Sequence, residues 1–362
     1  MFLALREMKH AKMRYVLIGL IMVLISFLVL FVSGLAKGLA SDNASSIQTM
    51  TADYVVLDKQ SDQRLNRSEL TNEQLKELLR LTHKKQMTEF GLQMTTIQKN
   101  GASKKTDSTL FAVDPKGFIA PPAAEGQSLK GADKNETVGD LSLKEEGFVI
   151  GDRLKEETTG TVLKLVGFTK NQSFSHSPVF HVSLKTWEAM HDGKQSVNAV
   201  ALKADSEKAK QIEKQVSGVE MISKNDALKS IPGFKEEQGS LLMMIAFLFV
   251  IAAFVLSVFF YVITLQKVNQ FGVLKAIGAQ SGYLSRTVLY QVLFLTIVSL
   301  VVSILLTFTV SQLLPASMPF LLNVPLVAGC SVLFLTVSVI GSLISLYQVI
   351  KIDAIEAIGR AS

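Results

Sequence analysis

Four long apolar runs dominate the pattern of hydrophobic and polar positions along the chain. Each run exceeds the roughly 20 residues that a helix needs to cross a bilayer, and none contains Asp, Glu, Lys or Arg. A charge-free run of this length is typical of a transmembrane helix, because a helix on a soluble core keeps a polar face. The pattern therefore predicts four spans: residues 15–36, 241–265, 287–314 and 324–350.

The first run has a second interpretation, as a secretory signal peptide. Basic residues precede it, as they do in such a peptide: Arg6, Lys9, Lys12 and Arg14. Its apolar stretch, YVLIGLIMVLISFLVLFV, is longer than the ~7–15 residues of a signal-peptide core. The length therefore favours a span that stays in the protein.

The distribution of charge predicts the orientation of the spans. The 362-residue chain has a net charge of +6, yet residues 37–240 hold 28 basic and 28 acidic side chains. The basic excess lies in the two terminal tails and the 266–286 loop, which four spans place on one side. The positive-inside rule assigns that side to the cytoplasm. The charge thus predicts membrane topology and gives no reason to expect nucleic-acid binding.

These observations predict a membrane protein with four transmembrane α-helices and a large α+β extracellular domain inserted between helices 1 and 2. We expect it in the plasma membrane with both termini in the cytoplasm. The segments between the spans are a cytoplasmic amphipathic helix at 1–14, the extracellular domain at 37–240, a cytoplasmic loop at 266–286, an extracellular loop at 315–323 and a cytoplasmic tail at 351–362.

Short strand-like and helix-like pieces alternate within residues 37–240. The predicted strands are 53–58, 108–114, 161–169, 197–205 and 219–223, and the predicted helices are 71–81, capped by Thr71, and 206–216, capped by Ser206. The polar stretches 99–107 and 124–140 are predicted loops. The only cysteine, Cys330, lies in the fourth span, so the domain depends on its own core rather than on an internal disulfide.

The sequence predicts little chemistry of its own. His176, His181 and His191 do not have a usual metal-ligand spacing, and surface or packing histidines are the favoured interpretation. The chain has no phosphate-binding GxxxxGK[ST] motif and no HExxH motif. The predicted spans hold no ionisable side chain, Gln291 being the most polar deep residue, which argues against an ion-driven carrier. We therefore expect a protein that is not an enzyme and draws energy from a partner.

Apolar residues recur in the predicted cytoplasmic segments, where they need burial. Residues 1–14 fit an amphipathic helix on the membrane surface. The stretch FGVLKAIGAQSGYL, at 271–284, forms a short apolar helix punctuated by Gly278 and Gly282. Its apolar side chains can pack against lipid headgroups or dock into a groove on a soluble subunit. The tail at 350–360 repeats this composition.

One span, a large external domain and three further spans resemble the permeases of MacB/FtsX-type ABC transporters. The most specific stretches are QKVNQFGVLKAIGAQ (266–280) and KIDAIEAIG (351–359), although Ala354 stands where the family's tail usually has proline. Longer stretches are similar to haem-exporting members from Gram-positive bacteria: residues 14–39, 231–244 and 259–278.

The resemblance implies a homodimer in the bilayer that docks two copies of an ABC ATPase. ATP-Mg would be bound by that partner subunit, and substrate would be taken from the outer leaflet or the external face. The segment implied to couple to the ATPase consists of Phe271, Gly272, Val273, Leu274, Lys275, Ala276, Ile277, Gly278 and Ala279.

The resemblance also implies haem as the transported ligand, with no intrinsic cofactor. Haem iron takes axial donors such as His, Met, Tyr or carboxylate. The candidate haem-binding residues near the start of the second span are Lys235, Glu236, Glu237, Met243 and Met244, with Lys37 as a further propionate partner. Lipid-facing methionines and solvated glutamates are the structural alternatives.

Two other functions fit the same architecture. The chain could export an antimicrobial peptide, a lipoprotein or another amphiphile. It could also be a signalling permease, whose external domain controls a cell-wall hydrolase or a sensor kinase.

Overall fold

The structure, a computed structural model, describes residues 12–83, 85–129, 135–193, 197–315 and 318–351. Its helices in chain order are α1 (Lys12–Gln48), α2 (Asn72–Leu81), α3 (Leu184–Met190), α4 (Ser206–Gln215), α5 (Lys224–Lys229), α6 (Phe234–Leu265), α7 (Val268–Ala276), α8 (Ser281–Leu313) and α9 (Val324–Lys351). Its strands are β1 (Tyr54–Asp58), β2 (Met87–Lys99), β3 (Lys105–Val113), β4 (Glu125–Gly126), β5 (Glu136–Asp140), β6 (Arg153–Glu156), β7 (Val162–Thr169), β8 (Ser173–Phe174), β9 (Ser177–Ser183), β10 (Ala199–Leu202) and β11 (Val219–Ser223).

The chain divides into two units. A membrane unit contains the described residues up to Gly38, Ser240–Pro315 and the chain from Phe320 onward. A sheet unit contains Leu39–Gly239. The predicted fold class is confirmed, since four helices in the described residues are long and apolar enough to cross a membrane and a sheet-rich domain lies between the first two.

The membrane unit is built from small and apolar contacts between its helices. A buried cluster joins all four long helices and α7: Tyr15, Ile18, Met22, Ala252, Leu256, Phe260, Ile263, Phe271, Leu284, Val288, Val292, Leu295, Leu300 and Phe334. Gly34 allows close packing, because a Cβ there would lie 2.6 Å from the Phe320 ring. Large apolar side chains such as Phe254 and Phe308 stay exposed on the outside, as a lipid-facing surface requires.

Six strands of the sheet unit pair in a closed circuit. β2 pairs with β3, β3 with β9, β9 with β5, β5 with β7, β7 with β6, and β6 with β2. Closure removes exposed strand edges along the circuit. Its interior is filled by side chains from several strands: Ile97, Leu110, Ala112, Leu154, Leu163, Leu165, Phe180 and Val182.

An antiparallel extension continues from this barrel in the order β2–β10–β1–β11. Helices α2 and α4 cover one face through Leu75, Leu78 and Ile212. The end of α1 and α5 cover the other face through Ala44, Ile47 and Ala227. The first and last strands of the unit are neighbours, with Tyr54 opposite Ser223, so the chain enters and leaves side by side.

Local signals account for several elements, and they also correct three predictions. Thr71 caps α2 in a full capping box with Gln74, as predicted. Helix α4 is capped by Asp205 rather than Ser206, since Asp205 accepts from the Lys208 amide. The predicted loop 99–107 contains the start of β3, and the predicted loop 124–140 contains β4 and β5. These polar segments form strands because their neighbours complete their backbone hydrogen bonds.

Candidate functional site

Glu237 lies in the first turns of α6, where its carboxylate joins the end of α1 to the β8–β9 turn. Its Oε2 accepts a hydrogen bond from Asn43 Nδ2 at 2.8 Å and lies 3.5 Å from His176 Nε2. Asn43 is 1% exposed. These contacts fix the position of the Glu237 carboxylate and surround it with hydrogen-bond donors. The three residues are far apart in the sequence, so the sequence does not show this arrangement.

His176 occupies this position because of an unusual turn. Strands β8 and β9 are joined by Ser175 and His176, whose φ angles of 51° and 59° are those of a two-residue hairpin turn. Such turns favour Asn and Gly. Contacts with the rest of the unit must therefore stabilise the positive φ angles of Ser175 and His176. His176 Nδ1 lies 2.8 Å from an Asp42 carboxylate oxygen. The imidazole consequently sits between two carboxylates, those of Asp42 and Glu237.

Lys235 and Glu236 lie elsewhere on the sheet unit. They line an open cleft of about 630 Å³ whose charged walls are Asp62, Arg64, Asp226, Lys229, Lys235 and Glu236. Hydrogen bonds from the Ser223 hydroxyl and then from Lys229 lower the pKa of Asp226 below its ordinary value. The cleft thus keeps mixed charge at neutral pH. The two neighbouring glutamates predicted together have different surroundings.

Met243 and Met244 belong to the membrane unit. They are 59% and 42% exposed, so both thioethers are accessible from outside the protein. Neighbouring Leu242 is exposed too. This stretch of α6 thus presents a flexible apolar surface, which suits either lipid contact or an apolar ligand.

The three histidines that the sequence analysis considered as metal ligands, His176, His181 and His191, each have different neighbours. His181 is buried next to Phe111, with ring centres 5.9 Å apart. Desolvation there lowers its pKa to about 3, and a hydrogen bond with the Val138 backbone acts against this. His191 contacts the Trp187 carbonyl and Gln93. Within the described residues no cluster of His, Cys, Asp and Glu could hold a metal ion.

The predicted coupling residues divide between a buried and an exposed side of α7. Phe271 and Gly272 are buried against the membrane unit, and Leu274, Lys275 and Ala279 are half-buried. Val273, Ala276, Ile277 and Gly278 are exposed. Gly278, two residues after the end of α7, has a φ of 101°, a value that favours glycine.

A buried polar group in the membrane unit escaped the sequence analysis. Lys267, predicted to lie in a loop, is only 6% exposed and donates to Tyr15 Oη at 2.8 Å and Gln291 Oε1 at 3.2 Å. The sequence offers one sign of this group, since Gln291 is the most polar deep residue of the predicted spans. The predicted amphipathic helix at 1–14 and the predicted tail at 351–362 fall outside the described residues, except for Lys12 to Arg14 and Lys351.

Comparisons with known proteins give full-length relatives. A family model described as FtsX-like permease C-terminal matches residues 242–354. The chain is 32% identical over 362 residues to a hemin transport system permease protein, HrtB, of Staphylococcus epidermidis, covering 99% of both chains. It is 31% identical over 359 residues to the HrtB of Staphylococcus haemolyticus, again with 99% coverage of both.

Solved structures resemble parts of the chain. The periplasmic region of MacB from Actinobacillus actinomycetemcomitans matches with 11% identity and a TM-score of 0.39, covering 51% of this chain and 95% of that one. The extracellular domain of the ABC-type transporter YknZ from Gram-positive bacteria matches with 15% identity and a TM-score of 0.34, covering 48% and 100%.

Proposed function

Since this chain belongs to the FtsX-like family of ABC transporter permeases, we propose that it is the membrane subunit of a haem exporter. Haem would be taken from the outer leaflet and released outside, which protects the cell from haem toxicity. The full-length similarity to hemin transport permeases supports the choice of substrate.

The observation that carries the proposal is the position of Glu237. The Glu237 carboxylate supplies an oxygen donor and the adjacent His176 imidazole a nitrogen donor, and haem iron accepts both kinds. The exposed thioethers of Met243 and Met244 follow on the same helix. We propose Glu237, Met243 and Met244 as candidate iron ligands and Lys235 as a candidate partner of the haem propionates. Glu236, which lines the same cleft as Lys235, completes the candidate set.

Energy would come from a separate ATPase subunit, bound in two copies by a homodimer of this chain. The exposed residues Val273, Ala276 and Ile277 of the α7 segment would enter a groove on the ATPase, as apolar helix faces do in helix-in-groove complexes. The buried Phe271 would fix the segment to the membrane unit. Both termini and the α7 segment would then lie in the cytoplasm.

A haemin titration of the purified protein in detergent, followed in the Soret band, tests the substrate and the site. The variants are Glu237→Ala, Met243→Ala, Met244→Ala and His176→Ala. We expect saturable binding by the unmodified protein and weaker binding by at least one of the variants, by about tenfold for a lost iron ligand. The exposed residues Glu145 and Met94 provide matched controls, as Glu145→Ala and Met94→Ala.

The outcomes separate the candidate functions. Saturable binding that is unchanged in every variant would keep haem as substrate and reject this site. No Soret shift beyond that of empty micelles would reject haem and favour export of a peptide, lipoprotein or other amphiphile, or a signalling role.

ATPase docking is tested by co-purification. Ile277→Asp places a charge on the proposed docking surface and is expected to abolish recovery of the ABC-type ATPase that accompanies the unmodified chain. Val149→Asp makes the same change at an exposed site of the sheet unit and should leave recovery unchanged. Full recovery with Ile277→Asp would show that α7 is not the docking segment.

A further inference from the structure

A buried ammonium group joins three helical segments of the membrane unit at one point. Lys267 follows the end of α6, Tyr15 is on α1, and Gln291 is on α8. Lys267 Nζ donates to Tyr15 Oη at 2.8 Å and to Gln291 Oε1 at 3.2 Å, and Tyr15 Oη donates to the same Gln291 oxygen at 3.2 Å. The Lys267 Nζ also lies 5.5 Å from the centre of the Tyr15 ring. We name these three residues the elbow cluster.

The elbow cluster lies where α6 turns into α7. The Lys267 amide donates to the Thr264 carbonyl near the end of α6, and the Lys267 carbonyl accepts the first helical bond of α7, from Phe271. The side chain that anchors the cluster therefore belongs to the residue on which the backbone turns. A displacement of α7 about this turn must move Lys267 against Tyr15 and Gln291.

The two ends of the α7 segment are held very differently. At its beginning, Lys267 and Phe271 are buried, and Phe271 shares one apolar cluster with Tyr15. At its end, Ile277 is 77% exposed and is followed by Gly278 with its φ of 101°. A segment fixed at one end and accessible at the other acts as a lever with a defined pivot.

We propose that the elbow cluster is the pivot that passes movement of α7 to α1 and α8, with Lys267 as its positioning residue. Burial makes this geometry specific, because an ammonium removed from water holds its hydrogen-bond partners at fixed places. The functional part of the inference rests on the proposed ATPase coupling. The structural part, that Lys267 fixes α7 relative to α1, does not.

The structural part is tested with spin labels on the purified protein in detergent. Labels replace Met13 on α1 and Ile277 at the end of α7, which are 78% and 77% exposed, in a Cys330→Ala background. Labelled chains are diluted with unlabelled chains, so that distances within one chain dominate. Lys267→Met is expected to broaden the distance distribution at least about twofold, because it removes the donor that joins the α6–α7 turn to α1 and α8.

Companion variants separate positioning from general destabilisation. Tyr15→Phe removes only one hydroxyl and should broaden the distribution less, whereas Gln291→Glu keeps an acceptor at the same place and should keep the distribution narrow. Lys116→Met makes the same chemical change at an exposed site of the sheet unit and should have no effect. An unchanged distribution in Lys267→Met, or equal broadening in Gln291→Glu, would overturn the pivot.

The functional part is tested by growth of cells in haemin. Lys267→Met, at the same membrane abundance as the unmodified chain, is expected to lower protection by about tenfold, the size of a typical coupling effect, while Gln291→Glu protects. Equal protection by Lys267→Met, or loss that only follows reduced protein abundance, would overturn the transmission role. Failure of the unmodified chain to protect would instead reject the haem-export function, and the spin-label result would still decide the structural part.

Discussion

The sheet unit and the membrane unit solve the packing problem in opposite ways. The sheet unit buries large side chains completely, among them Phe90, Phe111 and Phe180. The membrane unit buries many small polar residues between its helices: Ser26, Thr296, Ser299, Ser303, Thr307, Ser338 and Ser342. Its bulky apolar residues are mostly on the outside, as in Phe247 and Leu305.

The solvent explains this difference. In water, burial of apolar area stabilises a fold by roughly 25 cal/mol per Å², so a domain gains from placing its largest apolar groups inside. In lipid that gain is absent, and helices pair through close contact and hydrogen bonds. The Ser303 hydroxyl bonds to the Val23 carbonyl at 2.9 Å and to Ser26, while Ser299 donates to the Gly19 carbonyl at 3.3 Å. Small hydroxyls therefore add helix–helix contacts in the membrane unit, next to an apolar cluster that contains Phe260, Phe271 and Phe334.

The largest effect is expected from Phe180→Ala in the sheet unit. Phe180 is fully buried and packs edge-on against Phe148, with ring centres 6.0 Å apart. The substitution should lower the free energy of unfolding by about 3–5 kcal/mol. Urea unfolding followed by fluorescence of Trp187, the only tryptophan of the chain, measures it. Val162→Ala, at an exposed position, is the control, and similar losses from both would contradict the described core.

A smaller effect is expected from acid, through His181. Burial lowers its folded-state pKa to about 3 from 6.5. Below pH 6.5 the unfolded chain therefore binds a proton that the folded chain does not, so stability falls as pH falls towards 3. At pH 5 the loss is about 2 kcal/mol. Urea unfolding at pH 7 and pH 5 measures this loss of stability. The loss due to His181 should be present in the unmodified protein and absent in His181→Phe.

The comparison with His181→Phe also controls for His191, the histidine next to the fluorescent Trp187. The two ring centres lie 4.3 Å apart, and His191 is present in both proteins. An identical pH dependence in the unmodified protein and in His181→Phe would show that His181 does not stay neutral in the fold.

The smallest effect is expected from Ser303→Ala in the membrane unit. Hydrogen bonds between membrane helices contribute about 0.6 kcal/mol on average, so the loss should be far below that of Phe180→Ala. Thermal unfolding in detergent, followed by helical circular dichroism, measures it. Ser311→Ala on the same helix removes an exposed hydroxyl that donates to the Phe308 carbonyl within α8, and it serves as the control. A loss of stability as large as that of Phe180→Ala would contradict the difference in packing between the two units.

The elements that the sequence predicted are those whose signal is local. Charge-free runs long enough to span a bilayer and the Thr71 helix cap need no information from elsewhere in the chain. The barrel could not be predicted, because closure depends on pairing partners far apart, such as Lys99 with Leu154. Strand β2 also buries residues on both faces, which removes the alternation that marks a strand.

The candidate site was only partly predictable for the same reason. Glu237 could be chosen from its place at the start of a span, but Asn43 lies 194 residues away and reaches it through the fold. His176 reaches Glu237 through a turn with two positive φ angles that the Ser-His pair does not signal. Lys267 carried the typical mark of a loop residue, a charge between two spans, and only packing against Tyr15 and Gln291 changes that interpretation.

Because β1 pairs with β11, the sheet unit begins and ends at adjacent points and is attached to the rest of the chain at one place. Its two ends are joined inside the unit, since the Lys224 backbone amide donates to the Asp53 carbonyl at 3.0 Å next to the Tyr54–Ser223 pair. A domain with adjacent ends can be inserted, lost or exchanged by recombination at two neighbouring points of the chain. Here those points are near Leu39 and Gly239, the bounds of the sheet unit. Chimaeras joined there would graft another exterior onto the same four membrane helices.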